Sequence, residues 1–237
     1  MKNRFSASSL LVICAAAWLA PSSALAVPKM DVKVFLGVGS TTLVPRVPEI
    51  DLYVGDPPEF LGTVGGRNGG TFPNWDVGLS ARVRQRKLFA EIGIVFSQFR
   101  FSINEQIALV AEAQGEPLDE RILGRTARMN SLDFPITAGY IPYSNPYFTL
   151  FLYGGLVNKF NLKGFIDLGD RRALRFRPMD IPGFPLVIYQ AGARLGVAFD
   201  LGPFNFDFNY TIGMNSITKT EFRTNSHVFQ FNLGWLF

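Results

Sequence analysis

Phe229-Gln-Phe-Asn-Leu-Gly-Trp-Leu-Phe237 decides how the rest of this sequence reads. Phe229, Phe231, Leu233, Trp235 and Phe237 are large and apolar, while Gln230, Asn232 and Gly234 between them are polar or small. A period of two belongs to a β-strand whose two faces meet different surroundings. The preceding segment repeats it. Phe204, Phe206, Phe208, Tyr210, Ile212 and Met214 alternate with Asn205, Asp207, Asn209, Thr211, Gly213 and Asn215.

The same rhythm runs back through the chain. Tyr189, Leu195, Val197 and Phe199 alternate with Gln190, Gly192, Arg194, Gly196 and Asp200. Leu132, Phe134 and Ile136 alternate with Ser131, Asp133, Pro135 and Thr137. Ile92, Ile94 and Phe96 alternate with Glu91, Gly93 and Ser97, and Val77, Leu79 and Val83 with Asp76, Ser80, Arg82 and Arg84. Val32, Val34, Leu36 and Val38 alternate with Lys33, Gly37 and Gly39. The stretch 147–163 is extended, but both of its registers are apolar and its inward face is undecided. Eight strands are predicted, at 30–41, 74–85, 88–101, 126–142, 147–163, 185–200, 204–217 and 225–237. Tight turns at Arg86-Lys87, Tyr143–Pro146 and Leu201–Pro203 alternate with longer connections. Short turns at one end and long loops at the other are the signature of an outer-membrane barrel. The predicted fold is all-β: an eight-stranded antiparallel up-and-down transmembrane β-barrel.

Composition agrees. The 237 residues are 48% hydrophobic and 14% aromatic, with 23 Phe, yet mean hydropathy is only +0.17. Helical membrane proteins need apolar runs of about 18 residues or more, and none follows the first 26 residues. Those 26 read as a cleaved signal peptide. Lys2 and Arg4 form a basic start, 10–20 an apolar segment, and Ala24-Leu25-Ala26 a peptidase site before Val27, leaving 27–237 as the barrel domain. Cys14 is the only cysteine; it lies inside this segment, after an Ile13 too large for lipoprotein cleavage. The mature chain would then have neither disulfides nor thiolate chemistry. The formal charge of +4 falls to +2 once Lys2 and Arg4 are gone, which gives no support to nucleic-acid binding.

Alternation alone does not say which face looks outward; a soluble ligand-binding barrel hides its apolar face inside. Here the polar face is mostly Gly, Asn, Ser and Thr rather than the Lys/Glu-rich surface of a soluble domain. It also carries mid-strand charges of both signs: Lys33, Asp76, Arg82, Glu91, Asp133, Arg194, Asp200 and Asp207. Such groups can pair in a narrow lumen, whereas a basic residue facing hydrocarbon costs about 2–4 kcal/mol. These eight form the candidate lumen network. Eight strands enclose a space that side chains just fill, so an open pore is not expected. Pro135 removes a ladder donor, which predicts a bulge or bend there.

Ser131-Leu-Asp-Phe-Pro-Ile-Thr-Ala-Gly-Tyr140, Gly192–Val197, Phe206–Tyr210 and the closing Phe229–Phe237 resemble the PorT-like outer-membrane β-barrel family. The resemblance spans most of the mature chain and is specific in its second half. Trp235-Leu236 departs from the tyrosine or basic residue more usual there. The resemblance implies an eight-stranded outer-membrane barrel, and the family's name-giving member is associated with protein secretion across that membrane. The shared residues are strand and turn residues, which specify a barrel rather than an activity.

Little in the chain suggests catalysis. His227 is the only histidine, and its neighbour Ser226 must point to the opposite face. One histidine and no mature cysteine argue against zinc, and no cofactor is implied. Gly65–Gly70 lacks the Lys-Ser/Thr of a phosphate loop. The segment 104–114 reads as a short helix capped by Asn104 and stopped by Gly115. Arg171, Arg172, Arg175 and Arg177 cluster in a long loop, where guanidinium groups could meet lipopolysaccharide phosphates. Asp167, Asp170 and Asp180 lie close enough to pair with them instead. Phe229, Phe231, Trp235 and Phe237 are the expected signal to the barrel assembly machinery. The expected partners are that machinery, outer-membrane lipids and lipopolysaccharide, with an envelope protein as a further one. The preferred reading is a non-enzymatic structural or interaction protein; a lipid-acting barrel enzyme and a narrow channel or carrier are the alternatives.

Overall fold

The alternation closes on itself. The computed structural model describes residues 28–45, 50–54, 59–64, 71–102, 125–167, 173–178, 186–217, 219 and 224–237. Within them run β1 Lys29–Pro45, β2 Ile50–Val54, β3 Glu59–Val64, β4 Thr71–Gln85, β5 Leu88–Ser102 and β6 Thr126–Ser144. Then come β7 Phe148–Asp167, β8 Ala173–Phe176, β9 Tyr189–Leu201, β10 Phe204–Gly213 and β11 Thr224–Leu236. Strands β1, β4, β5, β6, β7, β9, β10 and β11 pair antiparallel in that order, and β11 returns to β1. This is a closed eight-stranded antiparallel barrel. A separate β2–β3 hairpin sits within the predicted first long loop, and β8 pairs only with the far end of β7. Neither had a signal in the alternation pattern.

The register fixes the barrel's shape. Stepping sideways from Asp31 through Arg82, Glu91, Thr137, Gly155, Arg194, Thr211 and Val228 returns to β1 at Thr41, ten residues beyond the start. That stagger requires strands tilted by about 35–45° and a lumen narrow enough for opposite walls to touch. The turns conform. Arg86 and Gly202 open two-residue hairpins with φ of 55° and 59°, the left-handed geometry that lets such hairpins follow the strand twist. Asn145 Oδ1 accepts from the backbone N–H groups of Tyr147 (2.9 Å) and Phe148 (2.7 Å), closing the third turn.

Apolar side chains face out and polar ones in. Leu36 is 60% exposed and Leu195 64%, whereas Lys33, Asp76 and Arg82 are each 2% exposed. Aromatic residues mark both ends of the apolar band. Tyr143, Tyr147, Phe204, Trp235 and Phe237 ring the turn end, with Phe204 and Trp235 edge-to-face at 4.9 Å. Phe160, Tyr189, Tyr210 and Phe229 ring the other. Paired aromatic girdles are what a transmembrane barrel presents to its two interfaces.

The ambiguous strand is resolved. In β7, Thr149, Phe151, Val157 and Asn161 face in, while Leu152, Leu156 and Phe160 face out. One extra β7 residue between Asn161 and Gly164 then reverses the parity, so Gly164 and Ile166 face in. Pro135 makes no bulge. The register holds from Ile92↔Ile136 to Val95↔Asp133, and the β5–β6 pairing merely lapses between them. Pro135 turns its ring inward, beside the space that Gly93 leaves; a Cβ on Gly93 would lie 3.2 Å from Pro135 Cγ. Removing a donor at an unshifted register needs no extra residue.

Ile94→Arg, at mid-height on the outer face, is expected to cost about 2–4 kcal/mol of folding stability in bilayers. Urea titration monitored by tryptophan fluorescence reads this, and an unchanged midpoint would contradict the outward assignment.

Candidate functional site

The lumen is filled by side chains from every wall, and its charges fall into two tiers. Arg82, projecting from β4, organises the tier nearer the turn end. Its Nε donates to Glu91 Oε2 at 2.7 Å on β5, and its NH1 to Asp200 Oδ2 at 3.0 Å on β9. Strands β4 and β9 lie opposite each other in the ring, so this one guanidinium spans the barrel. Its Cζ sits 4.2 Å from the ring centre of Phe151 and 5.6 Å from that of Phe89, a cation–π contact in a nearly dry space.

The ionic chain continues in both directions. Lys33 Nζ lies 2.8 Å from Glu91 Oε1 and 3.8 Å from Asp207 Oδ2. The Tyr153 hydroxyl donates to Asp207 Oδ1 at 2.5 Å. Toward the turn end, Arg84 NH2 reaches Asp31 at 2.6 Å and its NH1 reaches Asp200 at 3.7 Å. Asn205 Nδ2 also donates to Asp200, at 2.7 Å. Five strands are tied by alternating charges and a sixth by the Tyr153 hydroxyl, which is how buried ions offset their lost hydration.

The second tier lies nearer the long-loop end. Gln230 Nε2 donates to Asp76 Oδ2, and Arg194 bonds Thr211 Oγ1 at 3.0 Å and Gln230 Oε1 at 3.3 Å. Lys159 Nζ stands 3.5 Å from Asp133, which also accepts from Ser97 Oγ at 3.0 Å. Asn74 Nδ2 donates to Thr41 Oγ1 at 2.8 Å.

Little space remains. A cavity of about 20 Å³ touches Lys33, Arg82, Glu91, Tyr153 and Asp207. That is room for about one water molecule. Below it, a vestibule of about 600 Å³ opens at the turn end, where Asp31, Arg84 and Asp200 contribute to its walls.

All eight residues of the predicted network face the lumen, but they divide between the tiers. Lys33, Arg82, Glu91, Asp200 and Asp207 join the first; Asp76, Asp133 and Arg194 belong to the second. Sequence reading missed Asp31, Arg84, Lys159 and Tyr153. Asp31 and Arg84 share the inward parity of Lys33 and Arg82, so that signal was present. Lys159 and Tyr153 lie on the strand of undecided parity. The inward aromatics Phe35, Phe89 and Phe151 were also missed, because apolar residues were assigned to the outer face.

Phe229, Trp235 and Phe237 are exposed on the outer surface, and half-buried Phe231 packs on Phe208 at 4.8 Å. Arg175 and Arg177 are exposed. Arg171, Arg172, the 1–26 segment, Gly65–Gly70 and the 104–114 helix lie outside the described residues. His227 bonds the Tyr210 hydroxyl through Nδ1 at 2.5 Å, on the outward side. Ser226 lies against inward-facing Gly213, so the two adjacent side chains form no catalytic pair. Among the described residues no cluster of His, Cys, Asp or Glu is arranged to hold a metal.

No family model matches the sequence, and no curated protein does. Solved outer-membrane proteins do resemble it in fold. Neisserial surface protein A is 10% identical with a TM-score of 0.46, over 89% of this chain and 99% of that one. Ail, the attachment invasion locus protein of Yersinia pestis, is 10% identical with a TM-score of 0.38, over 88% and 99%; it was solved with the heparin analogue sucrose octasulfate. Likenesses this distant say nothing about binding or activity, and the barrel assignment rests on the strand register.

Arg82→Met takes the shared cation from between Glu91, left with Lys33, and Asp200, left with Arg84 and Asn205, and is expected to cost up to about 3–5 kcal/mol in the same urea titration. Combining it with Glu91→Leu should cost less than the sum of the two single changes. Additive losses would show that the pair is not coupled.

Proposed function

We propose that the chain is an integral outer-membrane barrel that does not conduct, and that it acts through its long-loop end as a structural or interaction component of the cell envelope. The observation that carries this reading is the braced lumen. Ion pairs cross the barrel from opposite walls, and the gap beside Lys33, Arg82, Glu91 and Asp207 holds about one water. Work on a partner or a lipid then falls to the outer surface and loops, not to a path through the centre.

The remaining expectations fit around it. Residues 1–26 would direct export and be removed. The aromatics Phe229, Phe231 and Trp235 of β11, with Phe237 just beyond it, would offer the assembly machinery an apolar edge strand before β1 closes on it. The residues resembling the PorT-like family suggest a part in secretion or envelope assembly; no family model supports that narrower placement. Lipopolysaccharide is a natural neighbour for the arginines of 171–177. A non-enzymatic role is favoured over lipid hydrolysis because Ser226 and His227 diverge.

Two measurements test the proposal. Purified barrel in a planar bilayer should give no stepwise current, and discrete openings would overturn the closed-lumen reading. On gels, folded protein should run differently before and after boiling in detergent; identical mobility, with solubility in plain buffer, would remove the membrane assignment.

A further inference from the structure

Near the long-loop end, four neighbouring strands carry one horizontal row on the outer face. Arg100 of β5 pairs with Arg128 of β6, Arg128 with Phe165 of β7, and Phe165 with Arg175 of β8. Their chain neighbours settle the direction. Phe99, Ala127, Met129 and Ile166 are all buried inside, so the row itself faces out. Arg128 and Arg175 are exposed, and Arg100 is half-exposed.

Two features separate this row from an ordinary solvated rim. Arg100 and Arg128 are direct cross-strand partners, so their side chains start only about 5 Å apart. Like charges placed so repel, and among the described residues no carboxylate pairs with Arg100, Arg128 or Arg175. The lumen, by contrast, answers each of its arginines with an acid or an amide. The row's height is the second feature. Arg100 lies twelve residues along β5 from Leu88 at the turn end. At about 3.3 Å per residue and a tilt of about 40°, that is a rise of roughly 30 Å, the thickness of a bilayer's hydrocarbon core.

The outer surface changes in order on the way up. Ile92, Ile94 and Ile136 are lipid-facing. Above them, Gln98 Nε2 donates to Asn130 Oδ1 at 2.8 Å and Gln98 Oε1 accepts from Trp75 Nε1 at 3.2 Å, a ladder of interfacial amides. The arginine row follows immediately.

We infer that Arg100, Arg128 and Arg175 form a binding site for the phosphate of an outer-leaflet lipid, whose acyl chains lie down the apolar wall beneath. A phosphate between Arg100 and Arg128 turns their repulsion into two charge-assisted contacts. Phe165 gives the lipid's apolar part a surface between Arg128 and Arg175. A free anion would satisfy the guanidinium groups but leave the wall below unused, and that commits the site to a lipid. The inference rests on the outer-membrane reading and adds to it a ligand class and a location.

The test uses wild-type protein and the double variant R100Q/R128Q in zwitterionic detergent, with bound lipid counted by native mass spectrometry. The probes are bisphosphorylated lipid A, the same lipid dephosphorylated, and inorganic phosphate as competitor. Wild type should prefer the phosphorylated lipid, the double variant should bind it about tenfold more weakly, and inorganic phosphate should not displace it. Equal binding by both proteins, or equal binding of both lipids, overturns the site; displacement by phosphate overturns its assignment to a lipid. Arg175→Gln, on a strand outside the barrel ring, gives a second variant that does not burden folding and should weaken binding in the same direction. Heat-modifiable mobility separates the two levels: variants that still show it yet bind lipid A normally refute the site and leave the barrel standing.

Discussion

Arg82 holds the two sides of this molecule together. A guanidinium buried to 2% exposure is tolerable only if its charge and its donors are answered at once. Glu91 answers it from the adjacent strand, Asp200 from the opposite wall, and the face of Phe151 from beneath. The geometry allows this because eight strands with a ten-residue stagger enclose a very narrow space. In a wider barrel water would occupy the centre, and the Arg82–Asp200 contact could not form. The narrow lumen therefore follows from strand number and register, and buried charges occupy it.

Filling it also requires holes. The large inward residues sit over glycines of neighbouring strands: Phe35 over Gly78, Tyr153 over Gly196, and Phe89 against Gly139. A Cβ at any of these glycines would run into the aromatic ring. The glycines on the polar parity thus serve packing as much as polarity. A lone inward Phe is costly in an open channel but favourable when glycine and a cation lie on either side of it. Pairing large with small in this way lets neighbouring side chains interdigitate, as they do in an ordinary protein core.

Much of this was legible in the chain, for a physical reason. Lipid on one side and a polar tube on the other impose the same two-residue period on every strand. Strands such as Phe204–Gly213 declare both faces by composition alone. Legibility failed where one face lost its contrast. In β7, Phe151 and Val157 point in while Leu152 and Leu156 point out, so apolarity carries no direction, and Lys159 and Tyr153 went unread with it. Phe35 and Phe89 failed for the related reason that an aromatic residue can face either lipid or a packed lumen. Pro135 was read as a bulge or bend because it lacks a donor; no bulge forms, and the ladder absorbs the loss through the lapse opposite Gly93. The ion pairs themselves join residues such as Arg82 and Asp200, which lie 118 apart in sequence, and only the closed register brings those together.

The contrast between the two surfaces carries the last step. Inside, each arginine faces a carboxylate, an amide or a hydroxyl, and in the first tier also an aromatic ring, and the chain supplies all of them. At the outer rim Arg100 and Arg128 stand side by side, and among the described residues no acid pairs with either. Both arrangements obey the same electrostatics: a guanidinium in or near a low-dielectric layer needs an anion close by. The lumen excludes the membrane, so the protein must provide that anion itself. The rim touches the membrane, and there a phosphate at headgroup height can provide it. On the proposal made above, the row is the part of the barrel whose electrostatics is completed by its surroundings rather than by the described residues of the chain.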